Sequence, residues 1–195
     1  MTVLFDRIEM AGADDSATLD EIFASLEKLP VPEGYKVEVI GGTVVMSPQR
    51  QSHWEIIATI FEQLRVRYPR KRTASDVRID FPGHLNGFAC DLVAFAEGAA
   101  KDAHSRWHYA QIEFVMEVIS ESTAANDYGP KKDGYATAEV PVYLIVDPYT
   151  QTWHLHTLPR DGAYRGGTRG KFGEPVDLTG TPVELVLATD EFPVD

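Results

Sequence analysis

The run 111–119, QIEFVMEVI, limits what this chain can become. Phe114, Val115, Met116, Val118 and Ile119 all favour leaving water, so the run reads as a buried strand. Glu117 lies inside it. A carboxylate in an apolar strand costs several kcal/mol unless hydrogen bonds, a basic side chain or a metal ion compensate it. Period-two geometry puts residues 113, 115, 117 and 119 on one face, which predicts Glu113 one step from Glu117. A second run, 140-VPVYLIVDP-148, is apolar almost throughout and predicts a central strand covered on both faces.

The remaining pattern alternates helices and strands. In 18-TLDEIFASLEKLP-30 the apolar residues Leu19, Ile22, Phe23, Leu26 and Leu29 have helical spacing, Thr18 and Glu21 can form a capping box, and Pro30 marks a stop. Two β-rich runs flank Gly41-Gly42 in 35-YKVEVIGGTVVMSP-48, a tight-hairpin signal. The spacing of Trp54, Ile57, Ile60, Phe61 and Leu64 predicts a long helix over 53–68 with Ser52 at its cap. Strands are expected at 73–82 and 89–97 and a loop at 98–110. A helix is expected within 126–139 beginning after Pro130, and an edge strand at 151–158. The tail is expected to add a loop at 162–173 and a short strand at 183–189. This order gives one α/β domain over 1–195, core about 18–190, with a mixed sheet, an N-terminal helix and hairpin, and one long helix on a face.

Composition removes several function classes. One cysteine, Cys90, excludes an internal disulfide and a cysteine-rich zinc site. No apolar run approaches the roughly 20 residues of a membrane helix, and the N-terminus lacks the basic start of a secretory leader, so a cytoplasmic setting is expected. The net charge of -12 argues against coating nucleic acid by charge alone. The acid is concentrated at the ends. Residues 65-RVRYPRKR-72 carry five basic groups, so Arg65, Arg67, Arg70, Lys71 and Arg72 are candidate phosphate contacts, or else a helix end favoured by the macrodipole. No glycine-rich run ends in the lysine-serine/threonine of a nucleotide-binding loop, so no nucleotide cofactor is expected. His154 and His156 share a strand face but lack a third ligand nearby, a weak zinc signal. His104, Trp107 and His108 lie in a polar segment and could line a cleft.

Asp91 stands directly before the apolar run 92–95, much as Glu117 stands inside its own. If their strands are neighbours, the two carboxylates meet and repel, and a divalent cation relieves the repulsion. Oxygen ligands alone point to Mg²⁺ or Mn²⁺. Lys131 or Lys132, at a helix start, could reach back to steady a water or a developing negative charge, with Asp127 one turn earlier to orient it. For Glu117 the plain alternative is a structural ion pair with Lys131 or Arg78. Asp76 alternates with Arg78 and Asp80, which also suits a solvated salt-bridge pattern.

The segments 38-EVIGGTVVMSP-48, His53, 91-DLVAF-95, 116-MEVISEST-123, 127-DYGPKKDGY-135 and 142-VYLIVDP-148, in this order and spacing, resemble the Uma2 family of restriction-type endonucleases, formerly a domain of unknown function, within the PD-(D/E)xK superfamily. The resemblance implies a restriction-endonuclease-like core and Mg²⁺-dependent phosphodiester hydrolysis, with DNA as the expected substrate; a homodimer is a fitting assembly because one small domain meets only part of a duplex. By the same resemblance Asp91 and Glu117 are the metal-binding acids, Lys131 replaces the lysine absent at Ile119, Glu38 is the early glutamate, and His53 opens the long helix. Cys90 replaces a more usual proline, and Glu121 adds negative charge where a phosphate would lie. A nuclease-fold binding protein without activity and a hydrolase of small phosphoesters are the alternative readings.

Overall fold

A computed structural model describes residues 8–10, 18–28, 30–31 and 33–193. The chain runs β1 (Ile8–Met10), α1 (Leu19–Leu26), β2 (Tyr35–Ile40), β3 (Thr43–Pro48), α2 (Gln51–Leu64), β4 (Thr73–Ala74), β5 (Val77–Phe81), β6 (Asn86–Cys90), β7 (Leu92–Phe95), β8 (Ile112–Val118), α3 (Ala124–Tyr128), α4 (Pro130–Thr137), β9 (Val142–Asp147), β10 (Thr152–Arg160), β11 (Ala163–Lys171), β12 (Val176–Asp177) and β13 (Val186–Leu187). Among the described residues the strands form a sheet in the order β1-β3-β2-β6-β5, a second in the order β11-β10-β9-β8-β7-β4, and a short β12–β13 pair.

Local chemistry sets the ends of the first elements. Thr18 and Glu21 close the capping box of α1, with Glu21 N donating to Thr18 Oγ1 at 3.3 Å and Thr18 N to Glu21 Oε2 at 2.8 Å. The helix ends before Pro30; Leu29 lies outside the described residues. Gly41 and Gly42 have φ of 56° and 81°, the positive pair that a two-residue hairpin needs, and they pair β2 with β3 in tight register. Ser52 does not cap α2. The helix starts at Gln51, Arg50 is its N-cap, and no side chain caps it. The buried stripe runs through His53, Ile56, Ile57, Ile60 and Leu64, and Trp54, on its flank, is 58% exposed.

The second sheet is the centre of the molecule. β8 and β9 run parallel, joined through α3 and α4, and every residue of β9 is buried. One face packs Leu92, Phe114, Met116, Val118, Leu144 and Val146 against Ile56, Ile57, Ile60 and Leu64 of α2. The other face packs Val93, Val115, Tyr143 and Ile145 against Tyr135 of α4. Each fully buried aliphatic side chain contributes about 1.5–3 kcal/mol. α4 sits close because residue 134 is glycine: a Cβ there would come within 2.9 Å of Phe88.

Two expectations for the C-terminal half need correction. The segment 151–158 is not an edge strand, because β11 pairs along its outer side. The segment 162–173 is therefore not a loop; most of it is β11 itself. The helix expected to begin after Pro130 is α4, with Pro130 at its start, a position that does not need its missing N–H; the short α3 precedes it.

The two sheets are joined by one bent ribbon. β4–β5 pairs with β6–β7 in a continuous register, Ala74 facing Val93 in the second sheet and Val77 facing Cys90 in the first. At the bend Asp76 has a φ of 52° and its N–H donates to Cys90 O. The expected single strands 73–82 and 89–97 are thus each split, at Ser75–Asp76 and at Asp91, where the chain changes sheets.

Candidate active site

The bend places Asp91 against β8. Leu92 faces Met116, so the next register position brings Asp91 to Glu117, and Asp91 N–H donates to Glu117 Oε2 at 3.3 Å. β2 contributes Lys36 and Glu38, two residues apart and so on one face. Glu38 Oε1 accepts from Ala89 N–H at 2.9 Å, which fixes the hairpin to β6. α3 and α4 add Asp127 and Lys131, four apart and ion-paired at 3.0 Å.

These six charged groups form one buried cluster, each 1–6% exposed. Lys131 Nζ lies 2.7 Å from Glu117 Oε1, 3.0 Å from Glu38 Oε1 and 3.0 Å from Asp127 Oδ1. Lys36 Nζ lies 2.8 Å from Asp91 Oδ1, 3.2 Å from Glu117 Oε2 and 3.8 Å from Glu38 Oε2. Tyr135 OH donates to Glu117 Oε1, and Val118 N–H to Asp91 Oδ2 at 2.8 Å.

Four carboxylates against two ammoniums leave two negative charges unbalanced. Burial pushes Asp91 up to about 6 and Asp127 up to about 7, because nearby Lys36 and Lys131 offset only part of the desolvation. Glu117 suffers the same desolvation, but Lys131 and Lys36 grip it from both sides and hold it at about 2. Burial would discharge the lysines; the surrounding carboxylates win and hold both well above the usual lysine range. His53 is buried, its Nε2 3.2 Å from Ser120 Oγ. Burial, with Lys36 and Arg50 nearby, pushes it down to about 4, so it is neutral at pH 7.

The donor set fits a hard divalent cation. It is oxygen only, it carries surplus negative charge, and Asp91 Oδ1 and Glu117 Oε2 converge on one point, where Lys36 Nζ now sits. Among the described residues no three Asp, Glu, His or Cys side chains form a ready metal-binding group. The fit is thus to two carboxylates, with the remaining ligands from water or substrate, the way Mg²⁺ is commonly held.

The structure brings together Asp91, Glu117, Lys131, Glu38 and Asp127 from the sequence candidates, with His53 alongside. Asp76 is exposed beside the cluster, opposite Asp91 in the ribbon; partial desolvation and the nearby Glu38 and Glu117 raise its pKa, while Lys36 opposes them. Lys132 points away, toward His156. Glu113 does not join Glu117. The register shifts at Ala94/Phe95, and Glu113 accepts instead from Tyr68 OH at 2.9 Å and pairs with Arg72 at 3.5 Å. Arg78 pairs with Asp20 and Asp80, not with Glu117. His154 and His156 contact Tyr128 and Tyr143, and Trp107 stacks on Phe95.

Sequence reasoning missed Lys36 and Tyr135. Tyr135 had a signal, four residues after Lys131 on a helix; Lys36, alternating with valines beside Glu38, had none to set it apart from a solvated strand face.

The basic run divides. Arg72 is structural, donating to Phe95 O at 2.8 Å and lying over the Tyr68 ring. Arg67 donates to Pro182 O. Arg65 and Arg70 line an open cavity of about 630 Å³ with Trp54, Phe61 and Leu92, the residue after Asp91. Lys71 is exposed. The cavity lies beside the acids and does not open over them.

A family model described as "Uma2: Putative restriction endonuclease" matches residues 23–190. No curated protein matches the chain. Solved structures that resemble it include the crystal structure of "a putative nuclease belonging to DUF820" from Anabaena variabilis, with a TM-score of 0.68 and 17% identity over 90% of this chain and 97% of that one. At that identity the likeness establishes the fold alone.

Proposed function

Since the chain belongs to the Uma2 family, we propose that it is a Mg²⁺- or Mn²⁺-dependent endonuclease that hydrolyses nucleic-acid phosphodiester bonds, DNA foremost, within a single domain. One observation carries this reading. Asp91 and Glu117, from adjacent strands, turn their carboxylates onto a single cation position inside a cluster with two surplus negative charges. Asp91 and Glu117 would hold the ion, which when bound would polarise the phosphoryl group and acidify a water.

The protein's own groups prepare that position. Lys131 and Tyr135 engage Glu117 Oε1 and leave Oε2 aimed at the cation position. Val118 N–H holds Asp91 Oδ2 and leaves Oδ1 aimed there too. In this reading Lys131, Glu38 and Asp127 are positioning residues acting through Glu117, and burial excludes bulk water from the acids. Arg65, Arg70 and Lys71 are the basic groups free to meet phosphates. A homodimer would present two such sites to the two strands of a duplex.

The test is cleavage of plasmid DNA, RNA and a small phosphodiester with Mg²⁺, with Mn²⁺ and with chelator. Wild type should cut DNA only with metal, and Asp91→Asn and Glu117→Gln should each abolish cutting. Metal-independent cleavage, or full activity in either variant, would refute the assignment. A second reading, a nuclease fold that binds without cutting, is favoured by Lys36 standing in the cation position. It predicts nucleic-acid binding with no cleavage under any metal.

A further inference from the structure

We propose that Lys36 is a resident counter-ion that closes the cation position between Asp91 and Glu117 and must be displaced when a divalent ion enters. The proposal rests on the metal-dependent reading above and adds a competitor built into the chain. Its ground is geometric. Lys36 Nζ contacts the two oxygens that converge, Asp91 Oδ1 at 2.8 Å and Glu117 Oε2 at 3.2 Å. Two cations cannot share that point. The other oxygen of each acid is already engaged, by Val118 N–H on Asp91 and by Lys131 and Tyr135 on Glu117. The one partner that can be exchanged on both acids without undoing a strand or a helix is therefore Lys36.

The two lysines differ in freedom. Lys131 is 1% exposed and meets three carboxylates on one helix and two strands, so moving it dismantles the cluster. Lys36 is 6% exposed, on a hairpin strand, and has Asp76 nearby. Asp76 is exposed opposite Asp91 in the ribbon and offers the displaced ammonium a carboxylate at the surface. Exchange also improves the charge balance. With Lys36 inside, the cluster keeps two unbalanced negative charges; with a divalent ion in its place, it keeps one.

Calorimetric titration of Mn²⁺ into the full chain, without nucleic acid, tests this. Lys36→Met should bind Mn²⁺ more tightly than wild type, within the roughly 5–150-fold range usual for coupled binding equilibria. Asp76→Asn should weaken binding in the wild-type background and leave the Lys36→Met background nearly unchanged. If Lys36→Met is poorly folded in chelator, thermal unfolding supplies the readout: Mn²⁺ should raise its Tm by more than it raises that of wild type. Equal or weaker Mn²⁺ binding by Lys36→Met, with an equal or smaller Tm shift, overturns the proposal. If Asp91→Asn and Glu117→Gln abolish cleavage at the same time, the nuclease reading stands without it. Absence of Mn²⁺ binding in both proteins overturns both.

Discussion

Replacing Lys131 by methionine removes the ammonium and keeps a side chain of similar length. Glu117, Glu38 and Asp127 then lose a partner at 2.7, 3.0 and 3.0 Å in a site where Lys131 is 1% exposed. Removing one member of a buried ion pair typically costs about 3–5 kcal/mol. An independent bound comes from protonation. Glu117 keeps Lys36 at 3.2 Å and Tyr135 OH and can escape the remaining cost by binding a proton, which from its ordinary value of 4.5 costs about 3 kcal/mol at pH 7. The two figures agree. For a chain of 195 residues the loss lowers Tm by about 6–20 °C. The pH dependence reverses as well. In wild type Glu117 is held at about 2, so its contribution is complete above 4.5 and is lost only as pH falls toward 2. In Lys131→Met its folded pKa is raised, the folded state binds more protons than the unfolded, and stability should rise as pH falls from 7 to 5. Adding Asp127→Asn removes one orphaned charge and should recover at least about 1 kcal/mol. Urea unfolding at pH 7 and pH 5 reads all three effects. A loss under about 1 kcal/mol, the size of an exposed pair, would show that Lys131 is solvated and that the clamp on Glu117 does not exist.

Two further outcomes follow from the same geometry. His53 falls from 6.5 to about 4 on burial, so between those values the unfolded chain holds a proton that the folded chain refuses. Stability should drop by up to about 3 kcal/mol as pH falls through that window, and His53→Gln should remove this drop; equal slopes in urea titrations of the two proteins would contradict the burial of a neutral imidazole. Arg65→Ala and Arg70→Ala should each weaken nucleic-acid binding and lower the salt slope by about 1 at unchanged Tm, whereas Arg72→Ala should lower Tm through the lost Phe95, Glu113 and Tyr68 contacts; salt-independent binding in every variant would remove the basic run from the interface.

The acids were legible because they interrupt apolar strands. Asp91 interrupts the otherwise apolar 88–95 and Glu117 the otherwise apolar 114–119, and the cost of burying them is visible in the sequence alone. Lys36 was not legible, because in YKVEVI the alternation of Lys36 and Glu38 with Val37 and Val39 matches an ordinary solvated strand face. The face is polar because a second sheet's acids cover it, and that requires the tertiary fold. The glycines of 162–173 read as a loop for a similar reason. In β11 they are small residues in a strand, since a Cβ at Gly166 or Gly170 would collide with Thr157 or Trp153 of β10. Trp54 misled in the other direction: its spacing matches the apolar stripe, but the buried stripe runs through His53, Ile56, Ile57, Ile60 and Leu64, and the indole on its flank lines the cavity with Arg65 and Arg70.

The molecule contains its own control for whether the buried cluster is structural. On the outside, Arg78 and Arg106 meet Asp20 and Asp80 at 2.6–3.7 Å, two cations against two anions. That network is balanced, partly exposed, and needs no further ion. The inner cluster is buried and unbalanced, and burial, only partly offset by Lys36 and Lys131, raises its Asp91 and Asp127 carboxyls. A network serving stability alone would lower its cost by losing an acid or gaining a base, and well-packed apolar residues of similar volume are often as stable or more so. Four acids against two bases are costly in a closed core and useful where a doubly charged ion is to enter. The surplus charge, more than the presence of acids, is what separates this site from an ordinary buried ion pair.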